Sequence, residues 1–495
     1  MKNNSLTTLS KGVFNGLENL QVLHLGSNKL NNLEAGCFNG LSRLEDLDMS
    51  NKSLTTLPTG VFNGLESLQK LDLHLNKLQN LELGCFDGLS QLKKLDMSNN
   101  SLRKLSESVL NGLENLEKLC LDSNKLENLE SGCFDSLSQL KWLNICNNSL
   151  TTLSEGVFNG LENLETLSLD SHELKNLEAG CFNGLSRLEG FSIRNNSLTT
   201  LSKSVFHGLL SLRRLYLDLN ELHNLESGCF NGLSRLVDLN MNFNSLTTLS
   251  TDQLIYLEPG TFDDLLRLEY LYISRNNLGT LSKDIFRNLK ELHHLNLYSN
   301  ALNNLESGCF NGLSQLEKLD LGHNSLTTLS KDVFNGLESL RTLYLYTNKL
   351  ENLESGCFNT LTRLENLSMH NNSLTTLSKD VFSGLENLQN LDLNSNTLSN
   401  LELGVLGNLS RLRELNLSDN KLKNLSKDIF IDLRRLRKLN LNSNELQNLE
   451  SGCFNGLSQL NQLDISNNEL ASSSEDIFNG LSESLSSRLR SELNH

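Results

Sequence analysis

Leucines fall along this chain in a pattern that repeats every 24 residues. One unit reads Leu20-x-x-Leu23-x-Leu25-x-x-Asn28-x-Leu30-x-x-Leu33, followed by Gly36-Cys37-Phe38, Leu41 and Leu44. Around Leu23 and Leu25 apolar and polar positions alternate with period two, which predicts a short strand with one buried face. The second half of each unit holds Gly-rich stretches such as Phe14-Asn15-Gly16-Leu17, which predict tight turns or a short 3₁₀ segment. A single unit cannot bury its leucines, whereas stacked units can, so the pattern predicts a solenoid.

One polar position is as regular as the leucines. From Asn28 to Asn468, nineteen frames place Asn there with only two exceptions, Lys52 and His172. An amide both donates and accepts, so a column of Asn is expected to satisfy backbone groups where each strand turns away. Lys52 and His172 interrupt that column, and weaker turns are expected at both. Eighteen of the 20 Phe share one frame position, with Leu110 and Leu406 in the two frames that lack it, which predicts a core spine. Only Phe191 and Phe243 lie elsewhere. Cys37, Cys85, Cys133, Cys181 and Cys229 recur every 48 residues, so two kinds of unit alternate. The beat slips once: Asn244 to Asn276 spans 32 residues, with the surplus between Leu249 and Leu257. An insertion there is expected to project as a loop, either functional or a neutral scar of duplication.

Units such as LTTLPTGVFNGLESLQKLDLHLNKL at 54–78 closely resemble the 24-residue typical leucine-rich repeats. Such repeats build the ectodomains of Toll-like receptors, Slit-type guidance proteins and variable lymphocyte receptors. The resemblance implies an α/β-class right-handed solenoid, a horseshoe with a parallel concave β-sheet of about nineteen strands and an irregular or 3₁₀ convex side. It implies a solenoid over residues 1–480, with the insertion at 250–257. Residues 481–495 carry leucines every four positions, from Leu481 to Leu493, which predicts an amphipathic helix or tail. The resemblance further implies an extracellular or cell-surface location and capture of a protein or glycan ligand on the concave face or an edge loop.

Composition narrows the function. A net charge of −16 argues against nucleic acid, and no apolar run is long enough to cross a membrane. The chain starts mid-unit with no capping coil and no apolar leader, so a fragment or an incomplete gene model is expected. Eight of the 10 Cys precede the spine Phe, where other units carry Val or Ile, so they read as small buried apolar residues. Neighbouring members lie two coils apart, too far for a disulfide or a shared metal. Cys120 and Cys146 are diagonal on adjacent strands, which disfavours a disulfide there too. No catalytic constellation, phosphate loop or metal-ligand spacing is present, so neither an enzyme nor a cofactor is expected.

The candidate site lies at the positions that flank the strand leucines. Tyr216, Tyr270, Tyr272, Tyr298, Tyr344 and Tyr346 stand there, as does the only Trp, Trp142; the seventh Tyr, Tyr256, falls in the insertion. Strand propensity alone would spread Tyr over all the strands. Their clustering between Tyr216 and Tyr346 points instead to a contact surface, with His294, Asp320 and His370 in a polar rim. The expected function is non-enzymatic recognition of extracellular receptor or adhesion type. A cytosolic interaction scaffold is the alternative, favoured by the unpaired cysteines.

Overall fold

In the computed structural model, residues 1–203, 205–226, 228–247, 257, 260–470, 475–478 and 481 are described. The chain forms two compact units, Met1–Asn244 and Ser245–His495, divided where the period slips. Each coil contributes one three-residue strand: ten in the first unit, from Val22–His24 to Asp238–Asn240, and nine in the second, from Tyr270–Tyr272 to Gln462–Asp464. Within a unit, neighbouring strands run parallel with their central leucines in register. Leu23 pairs with Leu47 and Leu47 with Leu71; Leu271 pairs with Leu295 and Leu295 with Leu319. Those leucines are buried, and the residues beside them project to the opposite face, as period two requires. Apart from Leu257 and Leu481, the insertion at 250–257, with Tyr256, and the C-terminal helix at 481–495 lie outside the described residues.

Among the described residues there is no α-helix. Away from the strands the chain runs through hydrogen-bonded turns, with Asn15 N–H donating to Gly12 O at 3.1 Å and Leu17 N–H to Phe14 O at 3.1 Å. The segment Glu475–Phe478 is a 3₁₀ helix. Glycine is required where coils touch: at Gly312 φ is +94°, and a Cβ would lie 2.4 Å from the Arg287 carbonyl oxygen.

The phenylalanine column is a stacked spine. Ring centroids of Phe14 and Phe38 are 6.0 Å apart, and those of Phe38 and Phe62 are 6.2 Å apart, with nearly parallel planes. Buried Leu110 and Leu406 fill the frames without a ring. Phe191, which replaces a strand leucine, packs edge-on against Phe182 at 4.8 Å. All ten cysteines are free thiols. Burial pushes the spine thiols up, Cys309 to about 12, so they behave as inert apolar side chains. Cys120 and Cys146 are half-buried, and Cys146 Sγ accepts the Asp170 N–H at 3.4 Å.

The asparagine column joins one coil to the next. Asn100 Oδ1 accepts the Leu78 N–H of the preceding coil at 3.1 Å, while its Nδ2 donates to Leu73 O and to Met97 O, both at 3.0 Å. Asn324 repeats this with Leu302 N–H, Leu297 O and Leu321 O. The two exceptions keep the burial but lose ladder bonds in whole or in part. Lys52 has no acceptor to offer, and its buried Nζ has no hydrogen-bond partner. His172 Nδ1 still accepts the Leu150 N–H at 3.3 Å, but its buried Nε2 is unpartnered.

A second regularity is invisible in the spacing. The residue before each ladder position adopts a left-handed backbone whatever its identity, as at Asn99 (φ 56°), Leu75 (φ 54°), His323 (φ 54°) and Thr347 (φ 53°). The turn geometry of the stacked coil imposes this, because asparagine tolerates the conformation and β-branched residues do not favour it.

Candidate functional site

In the second unit the strand face carries a connected set of rings. Tyr298, His323, Tyr344, Tyr346 and His370 sit on four successive coils, at or just after the strand end. Tyr346 lies flat on His370, with centroids 4.9 Å apart and planes 2° from parallel. On its other side it meets His323 edge-on at 6.4 Å and Tyr298 at 6.1 Å, and it touches Tyr344 at 5.8 Å. Tyr298 and His323 meet at 5.1 Å. Space for Tyr346 comes from Gly322, where a Cβ would lie 2.6 Å from the phenol ring. All five rings remain at least partly exposed, so they offer faces to a ligand.

Charge surrounds this cluster unevenly. The Lys318 ammonium stands 5.4 Å from the Tyr344 ring, and the Arg275 guanidinium 5.7 Å from the Tyr298 ring. Burial pushes the Asp320 carboxyl up, although the Gly322 N–H donates to it at 2.9 Å. Burial, reinforced by Asp320, Tyr298 and Tyr344, pushes the Tyr346 hydroxyl up to about 12, so it stays a neutral hydrogen-bonding group. Asp392 behaves in the opposite way: burial opposes its ionisation, but hydrogen bonds from His370 and from Asn394 prevail and hold its pKa low.

The expected site residues divide between the units. Tyr270 and Tyr272 flank Leu271 on one strand, and Tyr270 meets His294 edge-on at 5.0 Å. Burial and the Lys318 charge lower the His294 pKa, which favours the neutral imidazole. Trp142 and Tyr216 belong to the first unit. Lys118 covers the Trp142 ring at 4.0 Å; Arg194 covers Tyr216 at 4.4 Å, and the Tyr216 hydroxyl donates to Asp238 at 3.2 Å. His323 and Gly322 were not among the expected residues. Only the frame position of His323, one before a ladder Asn, marks it, and that position carries every kind of side chain along the chain.

The structure also assembles a group that spacing did not indicate. Asp72, His74 and Asp96 place one ligand atom each within 4.8 Å of one another. His74 Nδ1 and Asp72 Oδ1 are 2.5 Å apart, and the buried Lys52 amine adds its charge near Asp48 and Asp72. The Lys52 charge offsets part of the carboxylate charge there.

A parallel solenoid with a polar-and-aromatic strand face defines the class, and comparison with known proteins supplies the family. The family model described as Leucine rich repeat matches residues 1–54 and overlapping stretches from 162–222 to 434–485. The model described as BspA type Leucine rich repeat region covers 55–189. The chain belongs to the leucine-rich repeat family. No curated protein sequence matches it significantly. Among solved structures it is similar to the leucine-rich repeat protein LIC12759 of Leptospira interrogans, with 31% identity over 80% of this chain and 90% of that one, at a TM-score of 0.60. It is similar to TLR13 in complex with ssRNA13, with 25% identity over 96% of this chain and 82% of that one, at a TM-score of 0.53. The fold also matches glycosylated Toll of Drosophila in its complex with Spatzle, with 23% identity over 96% of this chain and 72% of that one, at a TM-score of 0.72. Since one neighbour is in complex with RNA, the exclusion of nucleic acid on net charge alone has no support from these likenesses. Among the described residues no helix is long and apolar enough to cross a membrane.

Proposed function

We propose that this chain is a non-enzymatic recognition module, of extracellular or cell-surface type, that captures a protein ligand on the strand face of its second unit. The observation that carries this reading is the ring cluster of Tyr298, His323, Tyr344, Tyr346 and His370. Large rigid rings with polar tips lose little conformational entropy on contact, and such residues dominate protein interfaces. A protein is favoured over RNA because Asp320 and Asp392 lie among the rings and the chain carries a net charge of −16. The solved neighbours with Spatzle and with ssRNA13 are both ligand complexes, which supports recognition as the shared use of the fold.

Panning a display library of folded protein domains against the whole chain tests the reading. Enriched domains should bind the double variant Tyr298→Ala/Tyr346→Ala at least about tenfold more weakly, at unchanged melting temperature. Domains that bind the variant equally well, or a preference for single-stranded RNA, would remove it.

The ten free thiols favour a second reading, a scaffold of a reducing compartment. Secretory expression in a eukaryotic cell separates the two. The first expects soluble folded protein in the medium; the second expects retention with mixed disulfides through Cys120 and Cys146.

A further inference from the structure

We propose a second binding site on the same unit: a groove that takes a neutral oligosaccharide. This inference rests on the recognition reading of the strand face and shares Tyr344 and Asp392 with it, but its amide ladder is separate. The groove encloses about 800 Å³ and runs across the strands beyond the ring cluster. Tyr344 stands at one end, and Asn366, Asn390, Asn416, Asn440 and Gln462 line its length. Its volume falls in the ordinary range of ligand sites.

The lining chemistry selects the ligand. Side-chain amides both donate and accept, as hydroxyl groups do, so a ladder of amides matches a polyhydroxylated chain. Two of these amides are held in place by the protein. Asn416 Oδ1 accepts the Ser418 N–H at 3.2 Å and its hydroxyl at 2.8 Å; Asn440 Oδ1 accepts the Asn442 N–H at 3.0 Å. With the oxygens tied down, the Nδ2 groups of these two groove-lining residues have no acceptor among the described residues and are left for a ligand. Nearer the rings, Asn390 Nδ2 donates to Asn366 Oδ1 at 2.6 Å, which leaves Asn390 Oδ1 as an acceptor. The Tyr344 ring offers a face against which the C–H side of a pyranose packs.

Charge excludes the competitors. Asp392, Glu414 and Asp464 line the groove with a single cation, Lys438, and that ammonium is already paired with Glu414 at 2.8 Å. A polyanion would meet surplus negative charge. A polyamine would meet the carboxylates but leave the fixed amide donors of Asn416 and Asn440 facing other donors. A protein hot spot needs exposed apolar or aromatic anchors, whereas the lining leucines Leu367, Leu391, Leu415 and Leu439 are buried and Tyr344 is the one aromatic ring in the lining.

The test uses the full chain, saturation-transfer NMR and calorimetry. The probes are cellohexaose, maltohexaose, laminarihexaose and chitohexaose, with an oligogalacturonate and poly(U) as anionic comparisons. At least one neutral hexamer should bind. Asn416→Asp and Asn440→Asp keep the oxygen that accepts the backbone N–H but remove the free donor, and each should weaken that binding about tenfold at unchanged melting temperature. Asn390→Asp keeps the acceptor oxygen and provides a second variant. No binding by any neutral hexamer, equal binding by both aspartate variants, or preference for an anionic probe overturns the proposal. Tyr298→Ala, which keeps Tyr346 and Tyr344 in place, should weaken protein capture but leave hexamer binding intact, so failure of protein capture and failure of the groove are read separately.

Discussion

The phenol ring of Tyr346 rests on the imidazole of His370, 4.9 Å between centroids, because Gly322 leaves the space behind it. Residues 24 positions apart thus share one surface, and a glycine a further coil back sets the position of the ring. A methyl group at 322 would overlap the phenol ring while leaving an ordinary backbone there. Gly322→Ala should therefore displace Tyr346, cancel the ring-current shift on the His370 protons in NMR, and weaken the proposed capture of a protein ligand. An unshifted His370 spectrum would refute the arrangement.

Lys52 holds an ammonium where the coil is built for an amide. Burial lowers its pKa to about 8, against the pull of Asp48 and Asp72. The unfolded chain binds this proton up to a pKa near 10.4, so between about pH 8 and pH 10.4 the unfolded state is the more protonated. Stability should rise with pH across that window, and the full cost applies below it. Lys52→Asn should gain about 2–3 kcal/mol at pH 7, part of it from restored ladder bonds, with the gain shrinking between about pH 8 and pH 10.4. Urea melts at pH 7 and pH 10 measure both.

His172 makes the chain sensitive to acid. Burial lowers its pKa to about 4, so the folded state holds the neutral ring. The unfolded ring has a pKa near 6.5 and takes up its proton first as pH falls. Stability from this site is therefore present above about pH 6.5 and is lost progressively towards pH 4, by up to about 3 kcal/mol. His172→Asn should flatten that slope and regain the donor to the neighbouring carbonyls. A melting temperature that falls just as steeply between pH 6.5 and 4 in the variant would discount His172 as the source.

Leu75 and Leu219 are exposed leucines at left-handed positions, with φ of 54° and 59°. Asparagine, which fills the equivalent place at 99 and 147, tolerates that backbone better. Leu75→Asn and Leu219→Asn should each stabilise the fold by about 1 kcal/mol in chemical denaturation. No change would mean that the surrounding coil, not the side chain, sets the cost of the turn.

Most of the architecture was legible in the sequence because it is periodic. Burial of the strand leucines, the Phe spine and the cysteines follows from each unit meeting copies of itself, so spacing alone predicts it. The site was legible only as a set of positions. Tyr298, Tyr344 and Tyr346 were singled out as candidates by their places beside strand leucines, Trp142 and Tyr216 by the same rule although they belong to the other unit, and His370 as part of a polar rim.

The sequence by itself determined the coil, its buried faces and its amide column, since these depend on short-range spacing repeated many times. Tertiary structure alone decided three further things. It decided that each ladder Asn bonds groups of the preceding coil, that Gly322 and His323 complete the ring cluster, and that amides on five strands line one groove. Each depends on groups 22 or more residues apart, and its geometry exists only once the parallel strands fix their register.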